Sequence, residues 1–222
     1  MTTTDATPER RPYHHGDLRH ALIETALQVL AEEQQWDFTL RDLARRAGVS
    51  HAAPYKHFAD KHALLSEVAA RGFVLLQRKT EAAVMQNAPN PAAQLRAAGA
   101  AYVLFAVENP ALFRLMFGPS LTGPRRSETL KEAATSARQV MVSAVERCRK
   151  AGLLGDGDPQ AQALAAHSLV HGLAMLLIDQ GVAAGTDPER TATAVLGAFF
   201  SRMGDGTDRA QPDSSRAAPP DP

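Results

Sequence analysis

The chain has one cysteine and one tryptophan in 222 residues, its aromatics make up 5%, and its charges cancel, with 24 Lys and Arg against 24 Asp and Glu. Each shortage excludes something. A lone Cys148 forms no internal disulfide, and no Cys/His cluster of zinc spacing accompanies it, which excludes a stapled mini-fold and fits a reducing compartment. On a helix flanked by Glu146, Arg147, Arg149 and Lys150, it reads as an inert packing residue. Zero net charge excludes indiscriminate coating of nucleic acid or anionic membrane, because such binding scales with the phosphates neutralised. The longest apolar run, residues 172–178, falls far short of the ~18 residues of a membrane span. The first residues, MTTTDATPERRPYHHGD, hold no apolar stretch of signal-peptide type. A cytoplasmic protein without a membrane partner is expected.

What is present is an ordinary globular composition, 45% hydrophobic and 22% charged, enough for a sizeable core. The length fits one large domain or a small one joined to a medium one. Charge is uneven along the chain. Residues 151–222 hold four basic and nine acidic side chains, net −5, leaving +5 on residues 1–150. Halves of opposite sign point to one end that meets a polyanion through a local patch.

Periodicity is helical almost throughout, with no alternating strand bounded by hairpin turns, so the fold expected is all-α. A first helix spans about 17–34, with Asp17 as its cap and Leu22, Ile23, Ala26, Leu27, Val29 and Leu30 as its apolar stripe. A short second helix follows the capping Thr39 and stops at Gly48; Ser50 caps a third over 51–58. A long fourth helix runs from about 61 to 87, where Pro89 and Pro91 stop it. Further helices open at Pro91, Pro110, Ser127, Pro159 and Pro188. About nine helices are expected: a three-helix N-terminal domain over 13–62 and a larger bundle over 63–203, between a disordered arm (1–12) and a disordered tail (204–222).

The informative stretch is TLRDLARRAGVSHAAPYKHFADKHALL, residues 39–65. Helix, glycine turn and second short helix form the helix-turn-helix pattern, whose second helix enters the DNA major groove. From Arg41 to Lys61 the net charge is +3. Pro54 and Phe58, four apart, share a buried side and leave His51, Ala52, Tyr55 and Lys56 on the opposite one. His51, Ala52 and Ala53 at the helix start suit base edges, while Tyr55, Lys56 and His57 suit phosphates. Thr39, Arg41, Ser50 and Lys61 complete the expected DNA contacts, Ser50 with the free N–H groups of a helix start and Lys61 at the next one.

Thr39-Leu40-Arg41, Leu43-Ala44, Ala47-Gly48-Val49-Ser50, Tyr55, Phe58, Lys61 and Leu64-Leu65 stand at the spacing of the tetracycline-repressor family, which residues 14–66 resemble. The resemblance implies an all-α homodimeric transcription regulator, a ligand-responsive C-terminal bundle, and DNA contacts by Thr39, Ser50, Tyr55, His57 and Lys61. HSLVHGLAMLLIDQG, residues 167–181, looks like the Trp-x-x-x-His-Gly signature of one subgroup, with His167 at the Trp position. Two further departures stand out. Gln34-Gln35 occupies the place where the family usually has Gly, which makes a left-handed C-cap costlier. Pro54 lies inside the recognition helix, where it removes a donor.

Aromatic and Met side chains on the later helices, Phe73, Tyr102, Phe105, Phe113, Met116, Phe117, Met141 and Met175, together with His171, are the expected lining of an effector pocket. Leu169, Gly172 and Leu176 on the eighth helix and Val195, Leu196, Phe199 and Met203 on the ninth are the expected four-helix dimer interface. His14, His15, Asp17 and His20 read as an arm and cap rather than a metal site. His167 and His171 lack the acidic residue of a HExxH pair. No catalytic residue, metal or cofactor is expected. The function expected is a homodimeric repressor released from a pseudo-palindromic operator by a small apolar or amphipathic effector. The rivals are a helical interaction module that binds no DNA and a His-dependent enzyme.

Overall fold

The computed structural model describes residues 15–121, 126–155, 157–179 and 185–204, with side chains from Leu18 to Phe199 within them. The expected disordered arm, the tail beyond Gly204 and His14 lie outside the described residues. Among them all regular structure is helical: α1 (His15–Glu33), α2 (Leu40–Arg46), α3 (Lys61–Gln86), α4 (Pro91–Glu108), α5 (Pro110–Phe117), α6 (Glu128–Lys150), α7 (Pro159–Ile178) and α8 (Pro188–Gly204), with 3-10 turns at Pro54–Lys56 and Pro119–Leu121.

Two sequence expectations are corrected. The third helix over 51–58 is not α-helical: only Pro54–Lys56 is regular, and it is a 3-10 turn, so the described residues form eight α-helices against the about nine expected. Pro54 has no N–H to give the Ser50 carbonyl, which instead accepts from Ala53 at 2.9 Å. The i to i+3 pattern continues as Lys56 to Ala53 and His57 to Pro54, at 3.2 and 2.9 Å. Asp17 does not precede the first helix but lies within α1, already helical at His15; an acidic residue is as favourable in a helix's first turn as at its cap, so its type alone could not fix the start.

Helix ends follow local chemistry. Thr39 caps α2, its Oγ1 accepting from the Asp42 N–H at 3.2 Å, while Asp42 Oδ2 accepts the Thr39 N–H at 3.0 Å. Three later starts pair an Asx cap with proline at the first helical position, Asn90-Pro91, Asp158-Pro159 and Asp187-Pro188. At the end of α2, Gly48 takes φ +68°. Its N–H bonds the Arg45 carbonyl and that of Val49 the Ala44 carbonyl, at 3.2 and 2.9 Å, a complete Schellman turn. Where α1 ends, Gln34 takes the left-handed conformation at φ +56°, the costlier choice that the missing glycine implies. Its side-chain amide donates to Ala31 O at 2.8 Å in partial compensation.

The chain divides into two compact units, one running to Gly72 and taking in Ala111–Lys131, the other Phe73–Pro110 and the residues from Glu132. The packed unit thus extends past residue 62 and is not contiguous. In the first unit Leu22, Ala26, Val29 and Leu30 of α1, Leu43 and Ala44 of α2, Phe58, and Leu64 and Val68 of α3 are buried. Helix α5 joins them where α3 has no side chain: a Cβ on Gly72 would sit 2.6 Å from Met116 Sδ and 3.1 Å from Leu112 Cδ1.

In the second unit α4 packs against both α7 and α8. The approach passes over Gly99, where a Cβ would lie 2.6 Å from Leu196 Cδ1 and 3.2 Å from Val170 Cγ1. Cys148 is buried, its thiol donating to Pro91 O at 3.2 Å, and burial pushes its pKa up despite Arg147 and Arg96. A neutral, covered thiol is the inert packing residue that its setting implies.

Two substitutions test this account by denaturant midpoint. Gln34→Gly removes the left-handed penalty but also the amide bond to Ala31, and stability is expected to rise by about 0.5–1 kcal/mol net. Gly99→Val forces a branched side chain into Leu196 and Val170 and is expected to cost about 1–3 kcal/mol; a variant as stable as the parent would show that contact to be slack.

Candidate nucleic-acid interface and effector region

The two-sided segment after Gly48 is built by Pro54 and Phe58. Both are buried, while His51, Ala52, Tyr55 and Lys56 are exposed and Ala53 and His57 lie between, the division the four-residue spacing predicts. Thr39, Arg41 and Ser50 are exposed as well, and Lys61 is half-buried. Pro54 and Phe58 anchor a segment with few hydrogen bonds of its own, so the outward set rests on packing rather than on a helical ladder.

Electrostatics sorts the basic residues of this stretch. Arg46 is paired with Glu33 and, at 3.5 Å, with Glu32; Arg45 lies 3.6 Å from Asp42. The Thr39 hydrogen bonds, and then Arg45 and Arg46, hold the Asp42 carboxyl below its ordinary value. Arg41, Lys56 and Lys61 have no carboxylate partner among the described residues. Lys61 Nζ sits 5.3 Å over the Phe38 ring, and the Arg19 guanidinium 5.6 Å over Phe58 while bonding Glu67 at 2.8 Å. Arg19 is a cation that sequence reasoning missed: its ring partner lies 39 residues away in sequence, and no spacing rule reaches that far. His57 Nε2 is buried without a hydrogen-bond partner.

The expected effector residues divide between the units. Phe73, Tyr102, Phe105 and Met141 are buried in the second, with His171 and Met175 half-buried there. Phe113 and Met116 are buried in the first beside a half-buried Phe117, the two phenyl rings 4.8 Å apart. The polar feature of the second unit is a Tyr–His cluster. Tyr102 Oη lies 3.0 Å from His171 Nδ1, and the His167 and His171 rings stack at 5.9 Å. Burial pushes the Tyr102 phenol up. It pushes both imidazoles down, His167 further under the influence of His171 and Arg138. Both shifts favour the neutral forms, so the contact joins a protonated phenol and an uncharged imidazole. A groove of about 340 Å3 between α3 and α6 of the second unit is lined by none of the nine expected residues.

One of the expected interface residues needs correction. Leu196 is 1% exposed and packs against Gly99 of its own chain, so it offers no surface to a partner. Leu169, Val195 and Phe199 are half-buried, and Gly172 and Leu176 are exposed. The side chain of Met203 lies outside the described ones. Helix α7 is long and apolar enough, by length and composition, to cross a membrane, yet only 28% of it is buried. Counting uninterrupted apolar runs missed this, because Gln160, Gln162, His167, Ser168 and His171 break the run. A single such helix is equally what a packing helix of a bundle shows. The described residues contain no group of three or more metal-ligating side chains.

Residues 22–68 match the model of bacterial regulatory proteins of the tetR family, and residues 95–199 that of the tetracyclin repressor-like C-terminal domain. No curated protein matches the chain. Among solved structures, a Rhodococcus sp. RHA1 protein described as of unknown function is 36% identical, with a TM-score of 0.78 over 88% of this chain and 100% of that one. The TetR family transcriptional regulator PfmR from Thermus thermophilus is 21% identical, with a TM-score of 0.63 over 81% and 97%. A bacterial regulatory protein of the tetR family from Rhodococcus RHA1 is 21% identical, with a TM-score of 0.66 over 84% and 96%. These two share the fold. The Trp-x-x-x-His-Gly subgroup is not shown by any of these matches. With its helix-turn-helix and its C-terminal domain both matched, the chain belongs to the tetR family of bacterial regulatory proteins, DNA-binding transcription regulators and not enzymes.

Proposed function

We propose that the chain works as a homodimeric, sequence-specific repressor that leaves a pseudo-palindromic operator when a small apolar or amphipathic effector binds. The observation that carries the reading is the exposed set His51, Ala52, Tyr55 and Lys56, held outward by buried Pro54 and Phe58. In this reading His51, Ala52 and Ala53 meet base edges, and Thr39, Arg41, Ser50, Tyr55, Lys56, His57 and Lys61 meet the backbone.

Dimerisation is supported by the apolar surface that α7 leaves uncovered. Leu164 and Leu176 are 66% and 53% exposed, and nothing lies within 4 Å of where a Cβ of Gly172 would stand. A second copy would cover that surface, with Leu169, Gly172 and Leu176 of α7 and Val195, Phe199 and Met203 of α8 as the interface. Two-fold symmetry then calls for half-sites about one helical turn, ~34–36 Å, apart. For release, Phe73, Tyr102, Phe105, Met141, His171 and Met175 in one unit and Phe113, Met116 and Phe117 in the other are the candidate effector-sensing residues. Helix α3, continuous from Lys61 to Gln86, is the candidate lever.

Selection of bound sequences from a random duplex pool, repeated at two salt concentrations, is expected to return a palindrome with a steep salt slope; no enrichment would sink the reading. On the selected site, Tyr55→Ala should weaken binding at all sequences alike. His51→Ala should cost about 1–3 kcal/mol on the selected site and relax preference at one base pair per half-site. Lys56→Ala should lower the salt slope by about one unit for each phosphate no longer neutralised. Release requires reciprocal coupling: saturating operator must weaken effector binding by the same factor as the effector weakens operator binding. Equal effector affinity with and without DNA would exclude the mechanism.

A further inference from the structure

The groove between α3 and α6, wholly within the second unit, carries a binding chemistry that the expected effector residues do not. Its volume of about 340 Å3 falls at the lower end of the ~300–1,000 Å3 typical of small-molecule sites. Val84 and Met85 of α3 and Val140 of α6 supply apolar wall, and Met85 is 76% exposed.

The polar side of the groove is dominated by Arg147. Its Nε donates to Gln94 Oε1 at 2.7 Å, and Gln94 is one of the few buried polar residues. A buried amide thus fixes the plane of the guanidinium while leaving its two terminal nitrogens unspent. The neighbouring carboxylate Glu146 is already taken by Arg149 and Lys150 at 3.1 and 3.6 Å, and among the described residues no carboxylate pairs with Arg147. Ser143 lies one turn away on the same wall, where an i, i+4 neighbour can share a ligand. A half-buried, oriented and uncompensated guanidinium is a receptor for a planar carboxylate. The groove's own acid, Glu81, is exposed and accepts a hydrogen bond from Gln77 at 2.8 Å. Solvated in this way, it attracts a cation weakly but still opposes a second negative charge.

We propose that this groove binds a monocarboxylate with a compact apolar body. The carboxylate is received by the terminal nitrogens of Arg147 and the hydroxyl of Ser143, the body lies against Val84, Met85 and Val140, and Glu81 turns away dianions. The proposal rests on the effector-responsive reading above and gives the effector a chemical class.

Calorimetry on the full-length protein tests it with hydrocinnamate, its neutral isostere hydrocinnamide and the dianion para-carboxyhydrocinnamate. Hydrocinnamate is expected to bind saturably, the amide and the dianion more weakly. Arg147→Gln should weaken the acid by about ten- to a hundredfold, the range of a charge-assisted hydrogen bond, and leave the amide unchanged. Because that variant also frees the buried Gln94 amide, Ser143→Ala serves as a milder one, with a loss of about three- to tenfold. Glu81→Gln should improve binding of the dianion. Equal affinity for acid and amide, absence of saturable acid binding, or acid binding indifferent to both α6 variants would overturn the proposal. Operator affinity measured alongside separates the two readings. Acid that binds through Arg147 without changing operator affinity supports the groove and counts against effector release. Release by another compound, with no acid binding, overturns the groove alone.

Discussion

A chain of helices without disulfides must satisfy its helix ends locally, because each end leaves about four backbone groups unpaired. That requirement organises the protein. Asx-Pro pairs open α4, α7 and α8, and the Thr39–Asp42 box opens α2. Left-handed glycines close α2 and α6, Gly152 repeating at φ +68° what Gly48 does. Once the ends are fixed in sequence, so are helix lengths and the direction each apolar stripe faces, and packing can proceed from there. The place where this pattern lapses is Gln34, where the left-handed turn is made without the residue that adopts it most readily.

Much of the fold was therefore legible in the sequence. Proline openings, the Thr39 cap and the Gly48 stop are signals read within four residues, and the i, i+4 spacing of Pro54 and Phe58 correctly divides inside from outside. Pro54 also shows where periodicity overreaches: the pattern is helical, but the missing donor turns the segment into a 3-10 turn. What stayed hidden are the relations between residues distant in sequence. Period 3.6 gives Leu196 an apolar face but cannot say that Gly99 of the same chain covers it. Nothing in the spacing of Glu33 and Arg46, thirteen residues apart, announces an ion pair, yet that pair withdraws a cation from the surface the motif presents.

The candidate site divides the same way. Its nucleic-acid face comes from one contiguous stretch and could be read directly. The candidate effector residues lie on helices far apart in sequence, and aromatic content alone does not separate a pocket lining from a core, since Tyr102 and Phe105 are buried. The groove beside Arg147 was overlooked because its lining is mostly polar and its defining contact, Gln94 to Arg147, spans 53 residues.

The turn at Pro54 has a consequence for descent. The backbone under the exposed set is held by two buried side chains, and His51, Ala52, Tyr55 and Lys56 contribute little to that hold. Related chains can thus exchange the outward residues one at a time while the interior stays as it is. Divergence in what this surface recognises can then run far ahead of divergence in architecture.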